Sequence, residues 1–160
     1  MAGYTLIAKY PDFGSQLVSL NETPQLTQAW LSGKAMGLLD DPNSVSAYQI
    51  PQSALRRSGL FDSVDITYFR SYRQMYRALF EGRVDVIAAL LSEEGPTSRL
   101  QLPPGLVLEE TIPGPGWYLL SEMVGDPVHC ELLDTLRELS SAAQVDFFRD
   151  LIVVRPCDAT

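Results

Sequence analysis

Apolar runs and helix-spaced patterns alternate along the middle of the chain. Ala35–Leu39 and Val84–Leu91 are apolar without alternation, which is typical of strands covered on both faces. Val64–Phe69 combines β-branched and aromatic residues and predicts another strand. The helix predicted after Ala35–Leu39 ends at Gly59. The helix predicted after Val64–Phe69 is expected to be capped by Ser71 and to end at Gly82. The order β-α-β-α-β with short connections predicts a parallel sheet with right-handed crossovers.

The flanking sequence predicts further elements around this core. Strands are expected at Tyr4–Tyr10, Leu17–Leu20, Leu106–Thr111 and Trp117–Ser121. Helices are expected to begin at Thr23 and Asp126 and to span Ala142–Leu151, with a turn at residues 11–15 and a loop at residues 92–104. The length of 160 residues favours one domain, residues 1–160, of the α/β class with helices on both faces of a parallel-core sheet.

A polar turn, Asp40–Asn43, joins the first of the central strands to its helix. Ser44 or Ser46 is expected to cap that helix, because a hydroxyl accepts a hydrogen bond from a free N–H of the first turn. A helix N-terminus also presents free N–H groups and the positive end of the helix dipole, which together attract anions. The two serines therefore predict either an anion site or a helix cap alone.

The same stretch resembles the second lobe of periplasmic solute-binding proteins of the phosphate/phosphonate-binding family. That family has a Leu-x-Gly-Lys lead, a strand, then Asp-Pro-x-Ser-Thr-Ser-Gly and an aromatic-rich helix with a proline. The matching residues here are Leu31-Ser32-Gly33-Lys34, Asp41-Pro42-Asn43-Ser44-Val45-Ser46-Ala47-Tyr48 and Pro51. Val45 replaces the threonine and Ala47 the glycine, so the turn offers one hydroxyl fewer to an anion.

The resemblance continues through Phe69-Arg70-Ser71-Tyr72 and Gly82-Arg83-Val84-Asp85. In the family, a histidine stands at the position of Tyr72, and the aspartate at Asp85 meets a positive group of the ligand. Each residue also has a structural alternative: Asp85 as a strand-edge residue bonded to nearby backbone, Tyr72 as an aromatic packed on the core. Tyr48 is expected either to line the ligand or to pack in the core, and Arg70 either to pair with an anion or to be solvated.

Ligands of open parallel sheets bind beyond the carboxyl ends of the strands. Three strand ends are therefore candidates. They carry Asn43, Ser44, Val45 and Ser46; Arg70, Ser71 and Tyr72; and Leu91, Ser92 and Glu93.

The resemblance implies a single lobe of a type II periplasmic-binding fold. Residues 4–122 would form the lobe with its crossing strands, and residues 123–160 a C-terminal helical segment covered by intra-chain packing or by a homodimer. The implied function is that of a solute-binding lobe of an ABC transporter's binding protein. Its ligand would be a small oxyanion or zwitterion, its partner a membrane permease and its location periplasmic or extracytoplasmic. The alternatives are the input domain of a membrane signalling protein, such as a histidine kinase or diguanylate cyclase, and an interaction module without a ligand.

The composition and the motifs argue against several other classes of function. The net charge of −8 argues against nucleic acid as a partner, because phosphate binding needs clustered Lys and Arg. One histidine, His129, excludes a multi-histidine metal site; it stands at a helix start, where a surface position is expected. Nucleophile elbows, glycine-rich phosphate loops and metal-spaced cysteines are absent, so neither an enzyme nor a cofactor is expected. Cys130 and Cys157 are expected either to pair or to remain as two buried thiols.

Overall fold

A computed structural model describes residues 3–91, 105–143 and 146–157. The chain divides into two compact units. The large unit is Phe13–Ile112, and the small unit combines Met1–Asp12 with Pro113–Thr160. The loop predicted at residues 92–104 lies outside the described residues.

The large unit is built on a five-stranded sheet in the order β4-β3-β5-β2-β6. Its strands are β2 (Phe13–Val18), β3 (Ala35–Leu39), β4 (Asp65–Phe69), β5 (Val86–Leu91) and β6 (Leu106–Ile112). Strand β3 runs parallel to both β4 and β5, which confirms the parallel core. Strand β2 runs antiparallel to β5 and β6, so the predicted parallel sheet is mixed. The turn predicted at residues 11–15 was wrong, because the strand predicted from Leu17 begins at Phe13.

Helices cover both faces of this sheet. They are α1 (Gln28–Leu31), a wide π-helical turn (Val45–Gln49) continuing into α2 (Ile50–Arg57), and α3 (Tyr72–Phe80). The predicted start at Thr23 was therefore too early, and Thr27 caps α1. Because side chains alternate along a strand, Leu38 packs in the cluster with Leu55 of α2, whereas Ile87 packs with Met75 of α3. These two apolar clusters hold the helices against the sheet.

The small unit has a three-stranded sheet in the order β7-β1-β8 and one longer helix. The elements are β1 (Tyr4–Lys9), β7 (Gly116–Leu120), α4 (Pro127–Ser141) and β8 (Ile152–Val153). Both neighbours of β1 run antiparallel to it. The buried core consists of Ile7 and Ala8 of β1 with Leu133 and Leu136 of α4. Leu133 and Leu136 of α4 are thus buried within the chain.

The C-terminal end of the small unit differs from the helix predicted over Ala142–Leu151. A short 3-10 helix at Asp146–Arg149 is followed by β8, and β8 pairs with the end of β1. Cys130 near the start of α4 forms a disulfide with Cys157. Of the two alternatives for these cysteines, the structure has the paired one.

His129 is fully buried at the start of α4, so the expected surface position was wrong. Its Nδ1 accepts a hydrogen bond of 3.1 Å from the amide of Gly125. The other ring nitrogen, Nε2, lies 3.1 Å from the carbonyl oxygen of Arg155 and therefore carries the proton that it donates. The neutral ring joins the turn before α4 to the C-terminal segment. In the part of the chain that the structure describes, no helix is long and apolar enough to cross a membrane.

Candidate functional site

The candidate site lies in the large unit, at the carboxyl ends of the parallel strands. The antiparallel strand β2 begins at this same edge, because Gly14 pairs with Leu91 and Ser15 with Leu90. The residues that follow β3 and β4 therefore meet the first residues of β2. Of the residues predicted from the end of β5, Ser92 and Glu93 lie outside the described part of the chain.

The turn after β3 is held by its own backbone and by one carboxylate. The amide of Asp40 donates to the carbonyl of Phe69, at 2.7 Å, which ties the turn to the end of β4. Asp41 Oδ1 accepts from the amide of Asn43 at 3.0 Å, and the carbonyl of Asp41 accepts from the amide of Ser44 at 2.9 Å. This hydrogen-bonding pattern is that of an Asx turn. Asp41 and Asn43 therefore shape the turn, and the Asn43 side chain is exposed.

The predicted serine cap of the following helix is not formed. Ser44 precedes the π-helical turn but makes no capping hydrogen bond with its side chain, and the hydroxyl of Ser46 points elsewhere. The first backbone bonds of the helix run from the amide of Gln49 to the carbonyl of Ser44 and from the amide of Ile50 to that of Val45. Among the described residues, no acceptor bonds the amides of residues 45–47. The helix formed by residues 45–57 thus begins with uncapped donors, at the positive end of its dipole.

A chain of hydroxyl groups connects three elements at this edge. The hydroxyl of Ser15 donates to the carbonyl of Ser46 at 2.6 Å. The hydroxyl of Ser46 lies 3.0 Å from that of Tyr72, at the start of α3. Ser15 is fully buried and Ser46 nearly so. The pair anchors the uncapped helix start to β2 and α3.

Tyr72 packs on the core, as its structural alternative predicts, and its hydroxyl also forms a hydrogen bond. Its ring packs against the apolar clusters on both faces of the sheet and stacks on Tyr76, with the ring centroids 6.3 Å apart. Its hydroxyl also reaches Ser46, as described above. The N-cap of α3 is Ser71, whose hydroxyl accepts from the amide of Gln74 at 3.2 Å, as predicted from its position. Burial raises the pKa of Tyr76, whose hydroxyl has no partner among the described residues.

Tyr48 lies in the first turn of the helix and faces another tyrosine. Its ring centroid is 6.0 Å from that of Tyr68 on β4. The hydroxyl of Tyr68 accepts a hydrogen bond of 2.9 Å from Nε2 of Gln52. Desolvation is the main cause that raises the pKa of Tyr68, and the nearby Tyr48 raises it further. Tyr48 is half-buried, so it contributes to packing and still presents part of its ring to solvent.

Asp85 is not brought together with the other predicted site residues. It stands just before β5, at the amino ends of the parallel strands. Its Oδ2 accepts from the amide of Ala35, at 2.8 Å, and its carbonyl accepts from the hydroxyl of Ser19, also at 2.8 Å. The carboxylate of Asp85 therefore bonds the backbone at the start of β3, which is the structural alternative for this residue.

Three charged side chains next to the turn after β3 are exposed. Arg70 at the end of β4 is exposed, and the exposed carboxylates of Asp40 and Asp41 flank the same turn. No group of three or more acidic, histidine or cysteine residues suited to a metal ion occurs in the described ranges. The sequence analysis placed Ser15 in a turn and did not identify Tyr68 as a candidate site residue. The signal for Ser15 was a polar residue in an otherwise apolar stretch, beside Gln16.

Comparison with protein-family models finds no match for this chain. No curated protein matches it either. Solved structures do match. XAC2383 from Xanthomonas citri, bound to chloride ion, aligns at 18% identity and a TM-score of 0.58, over 98% of this chain and 65% of that one. The same protein bound to ATP aligns with a TM-score of 0.57.

Two further solved structures share the fold. A binding protein component of an ABC phosphonate transporter from Pseudomonas aeruginosa aligns at 18% identity and a TM-score of 0.55, over 84% of this chain and 50% of that one. Tv2483 bound to L-arginine aligns at 18% identity and a TM-score of 0.51, over 86% and 54%. The chain thus spans about half to two thirds of the length of these structures. It is an α/β chain with the lobe fold of type II periplasmic-binding proteins.

Proposed function

We propose that this chain is a solute-binding lobe and that its ligand is a small anion or zwitterion. The ligand would bind at the start of the helix formed by residues 45–57, with Ser44, Val45, Ser46, Tyr48 and Tyr72 around it. The role is binding rather than catalysis. Asp85 is left out of this set, because its carboxylate bonds the backbone at the opposite end of the strands.

The uncapped amides of residues 45–47 are the observation that carries this proposal. Free N–H groups at a helix start attract negative charge through hydrogen bonds and through the helix dipole. The hydroxyls of Ser15 and Tyr72 hold this helix start in place through Ser46, so the donors are pre-organised. The carboxylate of Asp41 bonds the amide of Asn43, within the turn, so among the described residues it does not occupy the helix donors.

The solved structures of similar fold are consistent with such a ligand. XAC2383 was solved with chloride ion and with ATP, and Tv2483 with L-arginine. Chloride and ATP are anions, and arginine carries a carboxylate. A role in an ABC transporter, with a membrane permease as partner, is proposed from the phosphonate transporter component. The Cys130–Cys157 disulfide supports an extracytoplasmic location, since disulfides persist in oxidising compartments.

A single lobe is expected to bind weakly. A helix N-terminus stabilises an anion by about 0.3–1 kcal/mol, and by up to roughly 2 kcal/mol when partly buried. A micromolar dissociation constant corresponds to about 8 kcal/mol. We therefore expect this chain to bind its solute at about millimolar concentration, with tighter binding where a second lobe completes the site.

The test is a titration followed by ¹⁵N–¹H NMR, which detects millimolar binding residue by residue. The probes are inorganic phosphate, methylphosphonate, sulfate, acetate and L-arginine at constant ionic strength. Binding at the proposed site shifts the amide signals of residues 44–48 and of Tyr72, whereas those near Asp85 stay in place. Saturable shifts confined to other parts of the chain, or none with any probe, would contradict the proposal.

Two variants separate the helix donors from general charge effects. Val45→Pro removes one free amide while suiting the first position of a helix, so binding should weaken and the fold should persist. Val45→Thr adds the hydroxyl found in the phosphonate-type pattern, and one more bond to a charged group should tighten oxyanion binding about tenfold. The matched control is Val107→Ala on β6, at a side chain that is 42% exposed; it should leave the affinity unchanged.

A further inference from the structure

A titratable side chain of the small unit is completely buried and takes no part in the candidate site. His129, in the first turn of α4, has no exposed surface. Its Nδ1 accepts from the amide of Gly125, in the turn before α4, and its Nε2 donates to the carbonyl of Arg155, in the C-terminal segment; both distances are 3.1 Å. The ring therefore links two segments that are far apart in sequence.

These two bonds fix the protonation state of the ring. A backbone amide can only donate, so the Nδ1 atom that faces Gly125 has to be unprotonated. A backbone carbonyl can only accept, so Nε2 carries the single proton of the neutral ring. A second proton would have to bind Nδ1 and would point at the N–H of Gly125. Protonation thus replaces a hydrogen bond with a repulsive contact, and it places a charge out of reach of water.

The C-terminal segment has other attachments to the small unit. The amides of Val154 and Arg155 both donate to the carbonyl of Ile7 on β1, at 2.9 and 3.0 Å. A covalent bond joins Cys157 to Cys130 of α4. The Nε2–H of a protonated ring could also still donate to the carbonyl of Arg155. This side of the ring is therefore expected to stay in place when the ring is protonated.

The turn before α4 depends more on the ring. The backbone bonds within it are local, from the amide of Asp126 to the carbonyl of Met123 at 3.1 Å and from the amide of Val124 to the carbonyl of Ser121 at 3.4 Å. The side-chain bond that holds Gly125 is the one to Nδ1 of the ring. Protonation acts on this bond directly, so the turn is the segment that gives way.

We infer that His129 is an acid-sensitive contact that holds the turn before α4 while its ring is neutral and releases it when the ring takes up a proton. Once the turn opens, the solvated ring takes up a proton below about pH 6.5. The open state then binds one proton more than the closed state, so the closed turn loses stability as the pH falls below that value. This inference does not depend on the proposed function.

Charged side chains on the surrounding elements do not bond the ring in the part of the chain that the structure describes. The turn, the start of α4, the C-terminal segment and β1 carry Glu122, Asp126, Glu131, Arg155 and Lys9. Lys9 is half-buried and pairs with Asp12, and the other four are exposed. Water screens exposed charges. The direction of the effect is therefore set by the two hydrogen bonds of the ring.

The test is a titration of the full chain from about pH 7.5 to about pH 5, above the range in which most carboxylates titrate. The ¹⁵N signals of the ring report its protonation, and hydrogen exchange reports the opening of the turn. Uptake of one proton on opening should lower the protection factor of the Gly125 amide about tenfold per pH unit below about pH 6.5. The amides of Val154 and Arg155 should keep their protection.

Two variants separate the ring from its charged neighbours. His129→Gln supplies both an acceptor and a donor but does not titrate, so the protection of Gly125 should no longer depend on pH in this range. Asp126→Asn is the matched control: it keeps the ring, removes a neighbouring carboxylate and should retain the wild-type pH dependence. Loss of the pH dependence in Asp126→Asn, or its persistence in His129→Gln, would overturn the inference.

The wild-type chain decides the question by itself if His129→Gln does not fold. The inference requires that protonation of the ring and loss of protection at Gly125 occur together. A ring that becomes protonated near pH 6.5 while the protection of Gly125 stays constant would show that the turn does not depend on the neutral ring.

Discussion

The two units are stabilised in different ways. The large unit has helices on both faces of its sheet, and two clusters of buried apolar side chains fill the layers between them. The buried core of the small unit consists of Ile7, Ala8, Leu133 and Leu136, beneath one longer helix. Small units bury a smaller share of their surface and need additional restraints. Here the restraints are the Cys130–Cys157 disulfide and the buried ring of His129.

This difference bears on where binding chemistry can be placed. In the large unit the sheet and helices are held by apolar packing, so polar groups at the strand ends are available for a ligand. In the small unit the buried His129 has a structural role, because both of its ring nitrogens form hydrogen bonds with the backbone. We therefore expect substitutions to destabilise the large unit mainly when they remove apolar packing, and the small unit mainly when they remove a cross-link.

The largest expected effect is loss of core packing in the large unit. Leu38→Ala, at a fully buried position of β3, should lower the free energy of unfolding of that unit by about 2–5 kcal/mol. Denaturant unfolding followed by hydrogen exchange in β3 and β5 measures it. Leu139→Ala in α4 is the control, because its side chain is 61% exposed, and it should change little. Equal losses in the two variants would contradict the proposed division.

Removal of the disulfide is expected to affect the small unit. The double substitution Cys130→Ser and Cys157→Ser opens a link across 27 residues of sequence and should cost about 3–4 kcal/mol. Exchange should accelerate in β8 and in the end of β1 that pairs with it, with β3 and β5 unchanged. The same result should follow from a reducing agent acting on the wild-type chain. Acceleration in the large unit instead would show that the disulfide stabilises the chain as a whole.

The smallest effects concern two exposed carboxylates, one in each unit. The hydrogen bond from the Gly114 amide is the main cause that lowers the pKa of Asp12, and the hydrogen bond from Lys9 is the second. The hydrogen bond from Arg77 is the main cause that lowers the pKa of Glu81, and the hydrogen bond from Arg83 is the second. A lowered folded-state pKa gives stability that is present above the unfolded pKa, about 4, and lost as the pH falls below it.

Acid unfolding checks this prediction. Asp12→Asn should flatten the pH dependence of stability of the small unit below about pH 4, and Glu81→Gln that of the large unit. Each unit is followed by its own amides. If the free energy of unfolding depends on pH as steeply in both variants as in the wild type, these carboxylates have the same pKa in the folded and unfolded chain.

Much of the large unit could be predicted from local pattern. The apolar runs at β3 and β5, the Ser71 cap of α3 and the fold class are all confirmed. The failures concern residues whose role depends on distant partners. Ser15 was assigned to a turn, yet it lies in β2 and bonds Ser46, 31 residues away. The expected caps at Ser44 and Ser46 are absent, because the helix begins with a wide turn and Ser46 bonds Tyr72 instead.

The sequence by itself determined the order of the elements in the large unit, because hydrophobic period and turn residues act over a few neighbours. Only the tertiary structure decided the direction of β2, the burial of His129 and the pairing of the cysteines. It also decided which polar residues share an edge of the sheet, placing Tyr72 beside Ser46 and Asp85 at the opposite end. The physical reason is that these features depend on contacts between residues far apart in sequence, which local propensity does not encode.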